Sequence, residues 1–153
     1  MAVVLSLLAF TACKKDKDSP SSGGGMPGSG SSLQARVQET LRQFPMVSAV
    51  RSGNYGTLIG ILYAGSDTFS ISISDLILPT TRSDTSYTAT YRGSSVARRP
   101  QLLYGHHGVQ GRRVYSAPHP TTADAYLTLT VNIQGSRAEG TFEGMLYGGP
   151  GQE

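Results

Sequence analysis

Three histidines are the residues of this sequence best suited to acid–base or metal chemistry: His106, His107 and His119. Adjacent side chains on an extended strand point to opposite faces, so His106 and His107 do not readily bind one metal ion together. No second acid or cysteine stands at a ligand spacing from them, and we therefore predict no metal site and no cofactor. Hydrolysis by His106 or His107 with acidic residues from elsewhere in the fold is the alternative function.

Other enzyme signatures are absent from the sequence. It has no Gly-x-Ser-x-Gly nucleophile turn, no phosphate-binding loop of the Walker type and no His-Glu-x-x-His zinc motif. Glu139 and Glu143 are four residues apart, which on a strand places them on one face and about 13 Å from each other. That separation is too large for the paired carboxylates of a glycosidase, so both are expected to be solvated. We therefore predict that the protein is not an enzyme and has no catalytic residues.

Arginines are concentrated in residues 81–115, where Asp84 is the one opposing acid. Guanidinium groups bind carboxylate or phosphate through paired hydrogen bonds, and four tyrosines are interleaved with these arginines. The segment predicts an anion-binding surface for an acidic glycan, a lipid headgroup or an acidic protein partner. Its candidate residues are Arg92, Arg98, Arg99, Arg112 and Arg113. The alternative is that these arginines only keep a long loop soluble.

Composition limits the classes of protein that remain. The chain has 153 residues, one domain by length, and a net charge of +3. Charged residues make up 15% of it, which is below the roughly 25% of an average soluble protein and excludes a typical nucleic-acid binder or coiled coil. One cysteine and no tryptophan exclude a disulfide framework and a cysteine-rich zinc site.

The N-terminus has the pattern of a secretory signal. Its first twelve residues are apolar except for Ser6 and Thr11, and they are fewer than the roughly 20 that a membrane-spanning helix needs. The run ends in Phe10-Thr11-Ala12-Cys13, which resembles the lipobox of bacterial lipoproteins. The resemblance implies cleavage before Cys13, lipidation of Cys13 and anchoring in the cell envelope, at the outer membrane, on the periplasmic or the exposed side. No Lys or Arg precedes the run, so we expect the natural start to lie upstream.

A flexible tether is expected after Cys13. Residues 14–18 are charged, and residues 19–32 are almost entirely Ser, Gly and Pro, which bury too little surface to order their backbone. We therefore divide the chain into a signal peptide at residues 1–12, a lipidated Cys with its tether at 13–32 and a β-domain at 33–153.

The domain opens with a pattern that favours one short helix. Leu33, Val37, Leu41 and Phe44 recur at near-helical spacing, and Pro45 ends the pattern. From there the period changes to two. Apolar side chains alternate with Ser or Thr around Ile71, Ala89 and Leu129, which is typical of strands with one buried face.

Two local features refine these strands. Asp75 interrupts the alternation, so a bulge or strand end is expected there. Gly135-Ser136 has the residue types of a two-residue hairpin turn, so residues 126–147 are predicted to form a hairpin. Between residues 93 and 124 only short strands are expected, at 101–104 and 112–115.

The strand order and the segment Gly140-Thr141-Phe142 resemble small, uncharacterised lipoproteins of Bacteroidetes-type bacteria. The resemblance implies an antiparallel β-sandwich or open β-barrel and no assigned activity. Such proteins continue beyond the strand that ends in Leu146-Tyr147, so a final strand is expected to be missing here. The sequence thus predicts an all-β domain with one short N-terminal helix, in a lipid-anchored envelope protein that acts as a binding or structural module.

Overall fold

The computed structural model describes residues 2–6, 10–12, 32–78, 84–95, 97–134 and 137–148, with the first two segments and residue 137 described by their backbone alone. Within these ranges every regular element is a β-strand, which confirms the all-β prediction. The strands are β1 (Ala2–Ser6), β2 (Phe10–Ala12), β3 (Leu33–Val37), β4 (Thr40–Phe44), β5 (Met46–Ser52), β6 (Tyr55–Ala64), β7 (Asp67–Ile77), β8 (Thr85–Arg92), β9 (Gln101–Gly108), β10 (Gly111–Ala117), β11 (Tyr126–Gln134) and β12 (Arg137–Gly148).

The predicted N-terminal helix is wrong. Residues 33–44 form the β3–β4 hairpin, in which Leu33 pairs with Phe44 and the two turn residues, Gln38 and Glu39, both have positive φ. Residues four apart share a face on a strand as well as on a helix, so Leu33 and Val37 fit either element. The side chain of Leu41, which would complete a helical stripe, is 45% exposed.

Antiparallel pairing connects the strands in the order β4-β3-β1-β12-β10-β9-β7-β6-β5, and β11 pairs with both β12 and β8. The sheet does not close into a barrel. β12 is the junction, because β11 and then β10 pair along one of its edges while β2 and β1 pair along the other. β12 therefore joins the strands on its two edges into one sheet.

The strands β7, β9 and β10 form the part of the sheet that carries most candidate side chains. Their register places alternate residues in rows across the inner face, among them a row of Ile71, Tyr104 and Tyr115. All three of these side chains are buried. Between residues 93 and 124, where the sequence predicts only short strands at 101–104 and 112–115, the structure has the longer strands β9 and β10, which pair as a hairpin.

The predicted bulge at Asp75 is confirmed. Pairing between β6 and β7 shifts register between Gly56 and Leu58, whose partners are Leu76 and Ile73, so two residues of β7 face one residue of β6. Asp75 has a φ of 55°. The extra residue changes the phase of the strand and returns Leu76 to the core.

The predicted hairpin at residues 126–147 is also confirmed as β11 and β12, with Gln134 paired to Arg137. The turn residues Gly135 and Ser136 lie outside the described residues. Apolar side chains of β8, β11 and β12 contribute to the same hydrophobic cluster as those of β3, β7, β9 and β10. The protein thus has one core in the part that the structure describes.

The segment predicted as a signal peptide contains β1 and β2, which both pair with β12. Cys13 and the tether up to residue 31 lie outside the described residues. Among the residues that are described, no helix has the length and apolar character needed to cross a membrane.

Candidate functional site

The candidate site is centred on one row of side chains on the inner face of the sheet. Phe69 of β7 is paired with His106 of β9, which is paired with Arg113 of β10. Successive side chains on a strand alternate between faces, so His107 and Arg112, which also pair with each other, lie on the outer face. The structure therefore separates the two adjacent histidines, and likewise the two adjacent arginines.

This row lines an open cavity of about 320 Å³. Its polar and aromatic lining includes Arg42, Asp67, Phe69, Tyr104, His106 and Arg113. An adjoining cavity of about 280 Å³ shares Asp67, His106 and Arg113 and extends to the β9–β10 turn. We call the two together the hairpin cleft.

Arg42 enters the hairpin cleft from β4. On that strand Arg42 and Phe44 share the inner face, and the guanidinium carbon of Arg42 lies 3.7 Å from the centre of the Phe69 ring. This contact is a cation–π interaction. The Nε atom of Arg42 is buried and has no hydrogen-bond partner among the described residues. The cleft therefore contains a donor that the described protein groups do not satisfy.

Tyr104 forms part of the floor of the hairpin cleft. Burial raises the pKa of its hydroxyl above the ordinary value, while the positive charge of Arg42 and hydrogen bonding to it act in the opposite direction. A buried tyrosine with a raised pKa keeps its proton, so its hydroxyl can donate as well as accept a hydrogen bond. The ring centre of Tyr104 lies 6.3 Å from that of Tyr115.

His106 stacks on Phe69, with ring centres 4.6 Å apart and 11° between the ring planes. Its Nε2 atom lies 3.3 Å from Oδ2 of Asp67, which is an ion-pair distance, but the two groups are not aligned as a hydrogen bond. Gly108 makes room for this pair, because a Cβ atom there would lie 2.5 Å from Oδ1 of Asp67. The arrangement leaves the Asp67 carboxylate facing the cleft.

The charges of the hairpin cleft favour an anion. Arg42 and Arg113 carry two positive charges, Asp67 carries one negative charge, and His106 adds a positive charge when protonated. Nη2 of Arg113 donates a hydrogen bond to Oε1 of Gln110 at 3.3 Å. A guanidinium group has five N–H donors, so Arg113 retains further donors for a ligand.

The arginines that the sequence predicts as one anion-binding surface fall into two groups. Arg98 and Arg99 precede β9, whereas Arg113 is paired with His106 near the other end of that strand. Five residue steps separate Gln101 from His106, which corresponds to about 17 Å. Arg113 is the one member of the predicted set that lines the hairpin cleft, and anion binding by the others stays a prediction.

The first group holds the loop before β9 in place. Nε of Arg98 lies 2.5 Å from Oδ1 of Asp75, and its guanidinium carbon lies 3.9 Å from the ring centre of Tyr55. Arg99 donates hydrogen bonds to the carbonyl oxygens of Arg92, at 2.9 Å, and of Gly93. These contacts engage the charged groups within the protein.

Arg92 stacks over the ring of Tyr126, with its guanidinium carbon 4.5 Å from the ring centre. It also donates a hydrogen bond to the carbonyl oxygen of Ala123 at 3.4 Å. A cavity of about 300 Å³ borders Arg98 and Arg99 and also contains the Asp75 carboxylate that neutralises Arg98. With His106 neutral, both cavities carry one net positive charge, but the guanidinium groups of Arg98 and Arg99 are already engaged by Asp75 and by backbone carbonyls. The hairpin cleft is therefore the better candidate for an anion, because Nε of Arg42 has no hydrogen-bond partner among the described residues.

Sequence reasoning missed two residues of the hairpin cleft, Arg42 and Asp67. The signal for Arg42 was its position two residues before the buried Phe44 in a strand period, which the helix interpretation concealed. Asp67 follows the β6–β7 turn and reaches His106 through pairing of β7 with β9. Because this pairing joins strands that are far apart in the sequence, neither segment alone predicts that Asp67 lies beside His106.

The remaining polar candidates lie elsewhere. His119 packs edge-on against Tyr147 at 4.8 Å between ring centres. Among the described residues no group of three or more His, Cys, Asp and Glu side chains could hold a metal ion. Glu139 and Glu143 accept hydrogen bonds from Asn132 and Tyr126 respectively.

No family model, no curated protein and no solved structure matches this chain. The geometry of the hairpin cleft therefore carries the functional argument.

Proposed function

We propose that the protein is a lipid-anchored lipoprotein of the bacterial cell envelope, of the Bacteroidetes type, whose β-domain is an antiparallel β-sandwich or open β-barrel that binds an anion in the hairpin cleft. The lipobox-like Phe10-Thr11-Ala12-Cys13 supports the anchor, at the outer membrane and on either of its faces. The anchor carries the domain to the membrane surface, and binding rather than catalysis is its role.

The buried, unpartnered Nε of Arg42 is the observation that carries the binding function. The Arg42 side chain hydrogen-bonds to Tyr104, but an N–H group that stays buried without a partner still costs about 1–3 kcal/mol, and a carboxylate or phosphate that accepts a hydrogen bond from it would remove that cost. Arg113 lines the same cavity and supplies a second guanidinium group. Two guanidinium groups facing one cavity are suited to hold an anion from two sides.

The binding function is tested by observing the Arg42 Nε–H group directly. In a ¹⁵N-labelled protein we expect its NMR signal to shift when acetate, inorganic phosphate or glucuronate is added. Arg112→Gln is the matched control, because Arg112 is on the outer face next to Arg113 and should leave the response unchanged. If none of the three anions shifts the signal, the proposed binding function is wrong.

The anchor is tested separately. The protein expressed from its full gene should partition into detergent, and Cys13→Ser should release it to the soluble fraction, because stable anchoring requires the acyl chains on that cysteine. Equal partitioning of the two forms would remove the lipid anchor and the envelope location from the proposal.

An envelope hydrolase remains the alternative, and the pair of His106 and Asp67 is the observation that favours it. A carboxylate beside a histidine can support a general base. Hydrolysis of a model ester that is lost in His106→Gln and kept in His107→Gln would support this alternative, since His107 lies outside the cleft. Equal rates in both variants would exclude it.

A further inference from the structure

Resting on the proposed binding function, we infer that the anion of the hairpin cleft is the carboxylate of an acidic sugar, a hexuronic acid residue of a glycan. Three properties of the cleft favour this ligand. These are the balance of its charges, the presence of an acceptor beside the guanidinium groups, and its size and aromatic floor.

The charge balance favours a monoanion. With His106 neutral, Arg42, Arg113 and Asp67 leave the cleft with one net positive charge. A carboxylate neutralises that charge, whereas a phosphate dianion would bring a second negative charge close to Asp67. The planar guanidinium fork also matches the two oxygens of a carboxylate.

Asp67 is the residue that distinguishes a sugar from a simple carboxylate. Its ionised side chain is an acceptor and can take hydrogen bonds from ligand hydroxyl groups. It is 36% exposed and borders both cavities of the hairpin cleft. A ligand that presents a carboxylate to the arginines and hydroxyl groups to Asp67 satisfies both kinds of site.

The size and the floor of the cleft suit a single ring with an extension. The main cavity of about 320 Å³ is at the lower end of the range of about 300–1,000 Å³ for small-molecule sites. Tyr104 and Tyr115 form the floor of this cavity and are almost completely buried, so they give a pyranose ring an aromatic base to rest on but no open face for full stacking. The adjoining cavity of about 280 Å³ continues past Arg113 toward the β9–β10 turn, where a neighbouring sugar would lie.

The test compares four probes by isothermal titration: D-glucuronate, D-glucose, inorganic phosphate and vesicles that contain phosphatidylglycerol. We expect D-glucuronate to bind at least about tenfold more tightly than D-glucose and inorganic phosphate, because a charge-assisted hydrogen-bonded pair is worth roughly that factor or more. Tighter binding of phosphate or of the vesicles would overturn the sugar and leave anion binding intact. Binding of none of the probes would overturn the proposed function itself, and equal binding of glucose and glucuronate would overturn recognition of the carboxylate.

Variants assign the contacts. Arg113→Gln should weaken glucuronate binding about tenfold or more, whereas Arg112→Gln on the outer face should change it less than about twofold. Asp67→Asn should bring the affinities for phosphate and glucuronate closer together, because it removes the negative charge that opposes a dianion. Circular dichroism checks that each variant is folded. An unchanged preference in folded Asp67→Asn would overturn the role given to Asp67.

Discussion

His106 and Arg113 are direct cross-strand partners in the β9–β10 hairpin, and both line the same cavity. Their sequence neighbours His107 and Arg112 are also partners, but on the outer face of the sheet. The chain therefore supplies each cleft residue with a control of the same type one position away. Because successive side chains on a strand point to opposite faces, only His106 and Arg113 of these four residues can contact a ligand in the cleft.

Alanine substitutions at Gly108 and Gly140 can test how closely neighbouring groups approach the backbone at these two positions. A Cβ atom at Gly140 would clash with the backbone carbonyl of Thr130, whereas one at Gly108 would meet the end of the Asp67 side chain. Backbone cannot give way as a side chain can. We expect Gly140→Ala to lower the free energy of unfolding by about 1–3 kcal/mol or more and Gly108→Ala by less than about 1 kcal/mol, measured by urea unfolding.

The test depends on which of the two substitutions lowers the free energy of unfolding more. A larger loss for Gly108→Ala would show that the contact between Asp67 and the β9–β10 hairpin is rigid. A negligible loss for Gly140→Ala would contradict the close approach of β11 and β12.

The faces of β11 are tested by a neighbouring pair. Leu129 is fully buried, while Thr130 is half-buried on the other face and shares a hydrogen bond of 2.9 Å with Thr88. Leu129→Ala should lower the free energy of unfolding by about 2–5 kcal/mol. Thr130→Ala should lower it by less than about 1 kcal/mol, because it removes one cross-strand pair. Comparable losses in denaturant unfolding would contradict the register of β11.

Several strands and turns were predictable because they depend on local pattern. The alternation of Ile71 and Ile73 with serine, the interruption at Asp75 and the turn after Gln134 each have a local physical cause. The β3–β4 hairpin was not predictable in the same way. Leu33 and Val37 satisfy a helix and a strand equally, and the tight turn uses Gln38 and Glu39 at positive φ instead of the usual glycine.

The candidate site was predictable only in part. His106 and Arg113 were recognised from their residue types, but the partners that give them a function come from β4 and β7. Pairing between β7 and β9 spans a sequence separation that local periodicity does not encode. Arg98 was chosen for its charge, and only the fold shows that Asp75 pairs with it.

Alkaline pH should destabilise the protein through Tyr87. Burial, reinforced by Tyr91, raises the pKa of its hydroxyl to about 12, and the backbone of Ile77 offsets only part of that shift. The folded state thus resists deprotonation more than the unfolded chain, whose tyrosine pKa is near 10. The contribution of Tyr87 to the free energy of unfolding is therefore fully present below pH 10 and is lost as the pH rises from about 10 to 12.

Tyr87→Phe should remove this contribution to the decline. Its hydroxyl is buried, and its approach to the Ile77 backbone is not aligned as a full hydrogen bond, so the variant should lose little stability at pH 7. At pH 11 it should be more stable than the unaltered protein. Tyr63→Phe is the control, because Tyr63 is 62% exposed. Parallel stability curves for Tyr87→Phe and the unaltered protein between pH 9 and 12 would contradict the assignment.

β1 and β2 together cover one edge of β12. Pairing runs from Ala2 with Tyr147 to Ser6 with Glu143, and again at residues 138–140. A protein that begins at residue 13 lacks both strands, and it is compared with the chain that retains residues 1–12, with Cys13→Ser in both so that neither carries a lipid. The N–H and C=O groups along this edge of β12 then have no partner from those strands, and open edges recruit other strands. We expect this shortened protein to self-associate in sizing experiments while the chain that retains residues 1–12 stays monomeric.

Salt and one substitution separate edge pairing from contacts of the arginines. Ionic contacts weaken as salt rises, whereas backbone pairing and apolar burial do not, so self-association should persist at high salt. Thr141→Glu gives this face of β12 three acidic residues in a row with Glu139 and Glu143, so that like charges oppose the pairing of two such edges, and it should restore the monomer. Dissociation by salt alone would assign the association to the arginines instead. A shortened protein that is monomeric at every salt concentration would show that β12 does not need β1 and β2 to cover its edge.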